Sequence, residues 1–141
     1  CACDFILAHN DTKFGFPEVR IGMIPAVIFP YVSRKLDLGK MRELFLTGKR
    51  FGVDMAENGG MLYGKYNEKQ LALNELILSL KKGGPEAQMH IKKLLNSNIL
   101  SKSSQDLDLE LENLINLIKE GKEGQEGVSS FLQKRKPNWD R

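Results

Sequence analysis

Every stretch of this sequence that reads unambiguously as a strand lies before residue 67, and that placement limits the fold more than any other feature. Three short extended pieces are expected: CDFILAH from Cys3 to His9, KFGFP from Lys13 to Pro17, and MLYGKY from Met61 to Tyr66. Strands this short and this few cannot satisfy their own edges, so they need strands from elsewhere. The class that follows is α/β, mostly helical, divided into residues 1–66 and a helical region of residues 67–141.

The helices are read from apolar spacing and from glycine and proline punctuation. Pro25 suits a first helical position, with Ile28, Tyr31 and Val32 on one face and Pro30 either bending the helix or keeping its first turns short. LGKMRELFLTG, Leu38 to Gly48, predicts an amphipathic helix with Met41, Leu44 and Phe45 inward and Gly48 as its stop. Val53 to Asn58 predicts a short helix closed by Gly59 and Gly60. Glu68 to Lys82 predicts a longer one with Leu73, Leu76, Ile77 and Leu80 inward. Pro85 opens another, carrying Met89, Leu94 and Leu95. From Asp106 to Gly121 the leucines fit both a strand and a helix, and length favours helix. GKEGQEG, Gly121 to Gly127, reads as a linker into a last helix with Val128, Phe131 and Leu132 inward.

One carboxylate stands out. Glu18 follows Pro17 in FGFPEVRIGMIP, an apolar stretch punctuated by glycine. Pro17 fixes its own φ and pushes Phe16 toward extended geometry, so the carboxylate is expected to leave a strand end on a stiff backbone. Phe16, Val19 and Ile24 are expected to shield it from water. At the other end Lys134, Arg135 and Lys136 form a basic knot that either ends a helix in solvent or meets a phosphate.

Composition narrows the classes without choosing among them. A formal charge of +3 is too small to imply nucleic acid. No apolar stretch approaches the ~20 residues of a membrane span, so neither nucleic acid nor membrane is an expected partner. The only cysteines, Cys1 and Cys3, cannot build a disulfide framework. A structural metal site would need two further Cys or His ligands, and His9 and His90 have no ligand-like spacing, so no metal is expected either.

Cys3 to Phe51, with FGFPEVRIGMIP at its centre, resembles the second half of the crotonase superfamily of enoyl-CoA hydratases and isomerases. Ala56, Gly60 and Met61 follow that family's Ala-x-x-x-Gly-Leu pattern with Met for Leu. Gly84, Pro85 and Ala87 fit its Gly-Pro-x-Ala helix start, and EGVSSFLQKRKPNW, Glu126 to Trp139, is similar to its C-terminal helix. IPAVIFPYV, Ile24 to Val32, is most similar to the methylglutaconyl-CoA hydratase branch.

The resemblance implies the C-terminal part of a ββα spiral followed by a helical trimerisation region, assembled as a homotrimer or dimer of trimers. It implies an acyl-CoA substrate and no separate cofactor, CoA being part of the substrate. Glu18 matches the family's second catalytic Glu, placed to protonate the α-carbon. Pro17, Gly22, Phe131 and Lys134 fall at substrate-binding positions, the last two reaching a neighbouring subunit's CoA. Ala26 stands where dienoyl-CoA isomerases and hydroxyisobutyryl-CoA hydrolases carry Asp, which disfavours those reactions. The family's first Glu and its oxyanion segment would lie upstream of Cys1, so the chain is expected to be an incomplete C-terminal half, inactive alone, with the N-terminal half as its partner.

The expected function is therefore enoyl-CoA hydration, in the bacterial cytoplasm or an organelle matrix. Two alternatives stay open: an isomerase using a single Glu, and a helical assembly module that catalyses nothing.

Overall fold

The computed structural model describes residues 1–97 and 104–140, the side chains of residues 104–106 excepted. The chain divides into two compact units, Cys1–Glu75 and Leu76–Arg141.

In the first unit four three-residue strands form two ladders: β1 (Leu7–His9), β2 (Lys13–Gly15), β3 (Arg50–Gly52) and β4 (Gly64–Tyr66). β1 pairs parallel with β4, Leu7 opposite Gly64, while β2 pairs antiparallel with β3, Phe14 opposite Phe51. The three expected strands are present but shorter. β3 was not expected, because Arg-Phe-Gly is too short to show a period of two and is revealed only by its partner. Each strand has one paired neighbour among the described residues, which leaves the open edges that the sequence foretells.

Three helices pack on these ladders: α1 (Phe29–Val32), α2 (Leu38–Thr47) and α3 (Val53–Asn58). α1 begins at Phe29 and not at Pro25. Pro30 takes its first turn, where the N–H it lacks would have no intrahelical acceptor. α2 runs as the spacing predicts: Asp37 Oδ1 accepts from Gly39 N at 2.9 Å and Lys40 N at 3.1 Å, and Gly48, at φ +60°, ends it. A Cβ at Gly48 would also come within 3.0 Å of the Val19 and Arg20 side chains, so this glycine both turns the chain and admits a close neighbour.

The core forms around Leu44 and Ala56, both 0% exposed, with Val32, Leu36, Met41 and Phe51. Phe16 meets Phe45 edge-to-face at 4.8 Å and Phe51 at 5.6 Å, and Phe14 stacks on Phe51 at 5.5 Å. The Ala-x-x-x-Gly-Met pattern has a packing role here. Ala56 is sealed in the core, its carbonyl accepts from Met61 N at 2.9 Å, and Gly60 makes the left-handed turn between them, at φ +78°.

The chain passes from the first unit to the second along α4 (Lys69–Lys81), and the second holds α5 (Pro85–Asn96), α6 (Ser104–Glu120) and α7 (Lys122–Leu132). The ambiguous leucine run is helix α6, with Leu107, Leu111, Leu114 and Ile118 half-buried along one face. The Gly-Pro-x-Ala start of α5 receives a carboxylate: Glu123 of α7 accepts from Glu86 N and Ala87 N, both at 2.8 Å. A side chain at Gly84 would occupy the space of that carboxylate, which explains the glycine.

Three expectations fail here. GKEGQEG is not a linker but the start of α7, because its glycines serve close packing and not freedom. A Cβ at Gly124 would collide with the Ile118 carbonyl, and one at Gly127 would lie 3.3 Å from the Trp139 ring. The expected inward face of α7 is also outward: Val128, Phe131 and Leu132 are exposed, and Ser130 is the buried residue. Along α4 only Leu76 is buried, while Ile77 and Leu80 are exposed. Spacing defines an apolar face but not what covers it.

Candidate functional site

Glu18 sits in the first turn of a 3-10 helix, Pro17–Ile21, and not at a strand end. Pro17 occupies its first turn, and Gly22 closes it at φ +73°. The backbone that follows the carboxylate is tied back on itself: Met23 N donates to Glu18 O at 3.0 Å, and Gly22 N to Val19 O at 3.1 Å. Phe16 anchors the turn from below through its contacts with Phe45 and Phe51. A Cβ at Gly22 would meet nothing within 4 Å, so Gly22 is required by the backbone angle alone.

The side chain is half-buried, and its Oε2 is shielded from solvent without a hydrogen-bond partner. Buried acceptors are nearly always satisfied, since leaving one unpaired costs about 1–3 kcal/mol. The other such atom among the described residues is Asn10 Oδ1, but its amide already donates to Asn67 Oδ1 at 2.6 Å. Glu18 has no such compensation. Its shielding does not come from Ile24, which is 77% exposed, contrary to the sequence reading; Phe16 is the buried flank. Ile21, Met23, Ile24 and Val27 continue from the turn as an exposed apolar strip. Single exposed apolar residues need no explanation, whereas a contiguous strip marks an interaction surface.

At the other candidate positions, Phe131 is 82% exposed, which removes core packing as its role within the described residues. The basic knot separates into different jobs. Arg135 holds Glu126 with a two-armed fork, Nη1 to Oε1 at 2.6 Å and Nη2 to Oε2 at 2.8 Å, and Lys136 lies 3.6 Å from Asp140. Hydrogen bonds from Arg135 hold the Glu126 carboxyl below the usual carboxylate range. Lys134 is exposed and has no ion-pair partner among the described residues. The fork was not legible in the sequence, because a spacing of nine residues joins side chains only after the chain has reversed.

Lys134 is also the one non-glycine residue with positive φ among those described, at 53°. It stands just past α7 where Lys134 N donates to Phe131 O at 3.1 Å and Arg135 N to Ser130 O at 3.0 Å, a Schellman closure that glycine usually occupies. Lys134→Gly is therefore expected to stabilise the protein by about 1 kcal/mol. That corresponds to a melting temperature higher by about 2–4 °C. A lower melting temperature would show that the left-handed backbone is not strained.

Among the described residues no three of His, Cys, Asp and Glu gather as a metal site, and no helix is long and apolar enough to cross a membrane.

The family model for enoyl-CoA hydratase/isomerase matches residues 1–141. Curated relatives include a probable mitochondrial enoyl-CoA hydratase of Arabidopsis thaliana, 28% identical over 96% of this chain and 46% of its own length. An enoyl-CoA isomerase/hydratase of Mycosarcoma maydis is 31% identical over 96% of this chain and 51% of its own. The crystal structure of an enoyl-CoA hydratase from Shewanella pealeana superposes with a TM-score of 0.85 at 31% identity, covering 96% of this chain and 51% of that one. The chain spans about half the length of the curated relatives it matches.

Proposed function

The chain belongs to the enoyl-CoA hydratase/isomerase family, and from that premise we propose that it contributes Glu18 to the hydration of an α,β-unsaturated acyl-CoA thioester. Water oxygen bonds to the β-carbon, the π electrons move toward the thioester, and the α-carbon receives a proton from Glu18. The observation that carries this reading is the shielded, unpartnered Oε2 on a turn that Pro17 and Gly22 hold stiff. A carboxylate fixed before the substrate arrives need not be ordered during the reaction.

A hydratase also needs a base for the water and donors for the developing enolate oxygen. Glu18 is the only acid between Asp11 and Asp37, so a second carboxylate must come from another part of the protein. In this proposal the family's other half supplies it and covers the exposed strip from Ile21 to Val27, leaving the 141-residue chain inactive alone. Phe131 and Lys134 belong to the same reading as contacts of a neighbouring subunit's CoA, an aromatic face for adenine and a point charge for the ribose phosphate. Their exposure on α7 and just past it supports that use. Assembly as a trimer or dimer of trimers, a branched methylglutaconyl-like acyl group suggested by IPAVIFPYV, and a bacterial cytoplasmic or organelle-matrix home complete the proposal. No cofactor enters it.

Isomerisation by a single carboxylate is the second reading, favoured by the solitary position of Glu18. Incubating the full-length protein with crotonyl-CoA, 3-methylglutaconyl-CoA and a 3-enoyl-CoA in ¹⁸O-water separates the outcomes. A hydratase gives a labelled 3-hydroxyacyl ester. An isomerase moves the double bond without taking up label, and an unchanged set of esters would remove catalysis altogether.

A further inference from the structure

Lys134 carries a side chain where the backbone asks for glycine, and the residues around it explain how that conformation is held. Both oxygens of Glu126 face the tail: Oε1 accepts from Arg135 Nη1 at 2.6 Å and Asn138 N at 3.0 Å, and Oε2 from Arg135 Nη2 at 2.8 Å. Arg135 also donates from Nε to Gln133 Oε1 at 2.8 Å and from Nη1 to Lys136 O at 3.1 Å. Farther along, Trp139 packs against Gly127 and donates from Nε1 to Lys82 O at 3.2 Å. The tail is thus fastened on the far side of Lys134 from α7, and the fork begins at the very next residue.

We infer that Glu126 is a positioning residue: through Arg135 and Asn138 it fixes the tail in the conformation that presents Lys134, left-handed and unpaired with any carboxylate among the described residues, to an anionic group of the ligand. An isolated surface ion pair adds little to stability, but a two-armed fork sets geometry. Without it the left-handed backbone is no longer the only way to continue, and Lys134 relaxes to an ordinary angle that redirects its ammonium. This inference rests on the reading that Lys134 meets the ribose phosphate of an acyl-CoA.

The test uses the full-length protein and two probes, crotonyl-CoA and its 3′-desphospho counterpart. Lys134→Ala should weaken only the phosphorylated ester. Glu126→Gln should do the same, by about three- to tenfold, with kcat unchanged. The double variant should be no weaker than Lys134→Ala alone, since both remove one contact. The sign is informative: removing a negative charge near a phosphate site tightens binding by field alone, whereas loss of positioning loosens it. A merely structural role would lower the melting temperature and leave the preference between esters untouched. If Glu126→Gln does not fold, Arg135→Lys keeps the charge, removes the fork and should show the same loss. Unchanged or tighter binding of the phosphorylated ester, with Lys134→Ala still harmful, overturns the inference and leaves the reading of Lys134 standing. If Lys134→Ala treats both esters alike, that reading falls and the inference with it.

Discussion

Replacing Glu18 with Gln in the full-length protein is expected to lower kcat by about a hundred- to ten-thousandfold, while KM moves by no more than about threefold. The amide keeps the shape of the carboxyl and the turn beneath it, because Pro17, Gly22 and the Met23 N to Glu18 O bond do not involve the side chain. It cannot carry the proton that the α-carbon receives. That transfer exists only in the transition state, so its loss falls on kcat and not on ground-state binding. Folding should survive, since the shielded Oε2 has no partner to lose. Steady-state kinetics with the substrate identified by ¹⁸O labelling, beside a thermal melt, makes the check. A variant that melts like wild type and keeps near wild-type kcat takes Glu18 out of the mechanism.

The parts of this molecule that were legible in the sequence are those where local chemistry and tertiary need agree. The apolar trio Met41, Leu44 and Phe45 and the stop at Gly48 point to one helix, and α2 is that helix. Pro17 and Glu18 also announce a stiff carboxylate, although the turn that holds it is a 3-10 helix and not a strand end. What stayed hidden depends on partners distant in sequence. β3 exists because Phe51 finds Phe14, and the Glu126 fork exists because the chain reverses after Lys134. Nothing within three residues of either announces it. The outward direction of Val128, Phe131 and Leu132 is hidden for a related reason, since an apolar stripe has the same spacing whether its cover is in this chain or in another.

Gly124→Ala separates the two accounts of the glycine-rich run by the sign of its effect. If Gly121 to Gly127 were a linker, alanine would stabilise the chain by about 0.4–1 kcal/mol, because it restricts the unfolded state without straining the folded one. In the structure Gly124 lies inside α7, just after the corner with α6, where an added Cβ would run into the Ile118 carbonyl oxygen and stand 3.0 Å from its carbon. Those atoms are backbone at the end of α6 and cannot rotate aside. Ile118 O also accepts from Gly121 N at 3.2 Å, so moving it breaks the bond that closes the corner. Alanine is the better helix former by roughly 1 kcal/mol, which offsets only part of an overpacking cost that reaches about 3 kcal/mol when backbone must shift. The expected net result is destabilisation by about 2 kcal/mol, read as a lower denaturant midpoint with an unchanged slope. The damage also spreads, because the corner sets the path by which Glu123 reaches the N–H groups of Glu86 and Ala87. Alanine at Gly121, where the nearest atom is the same Ile118 oxygen at 3.2 Å, should be milder. A Gly124→Ala protein that is more stable than wild type would return the run to the linker it resembles.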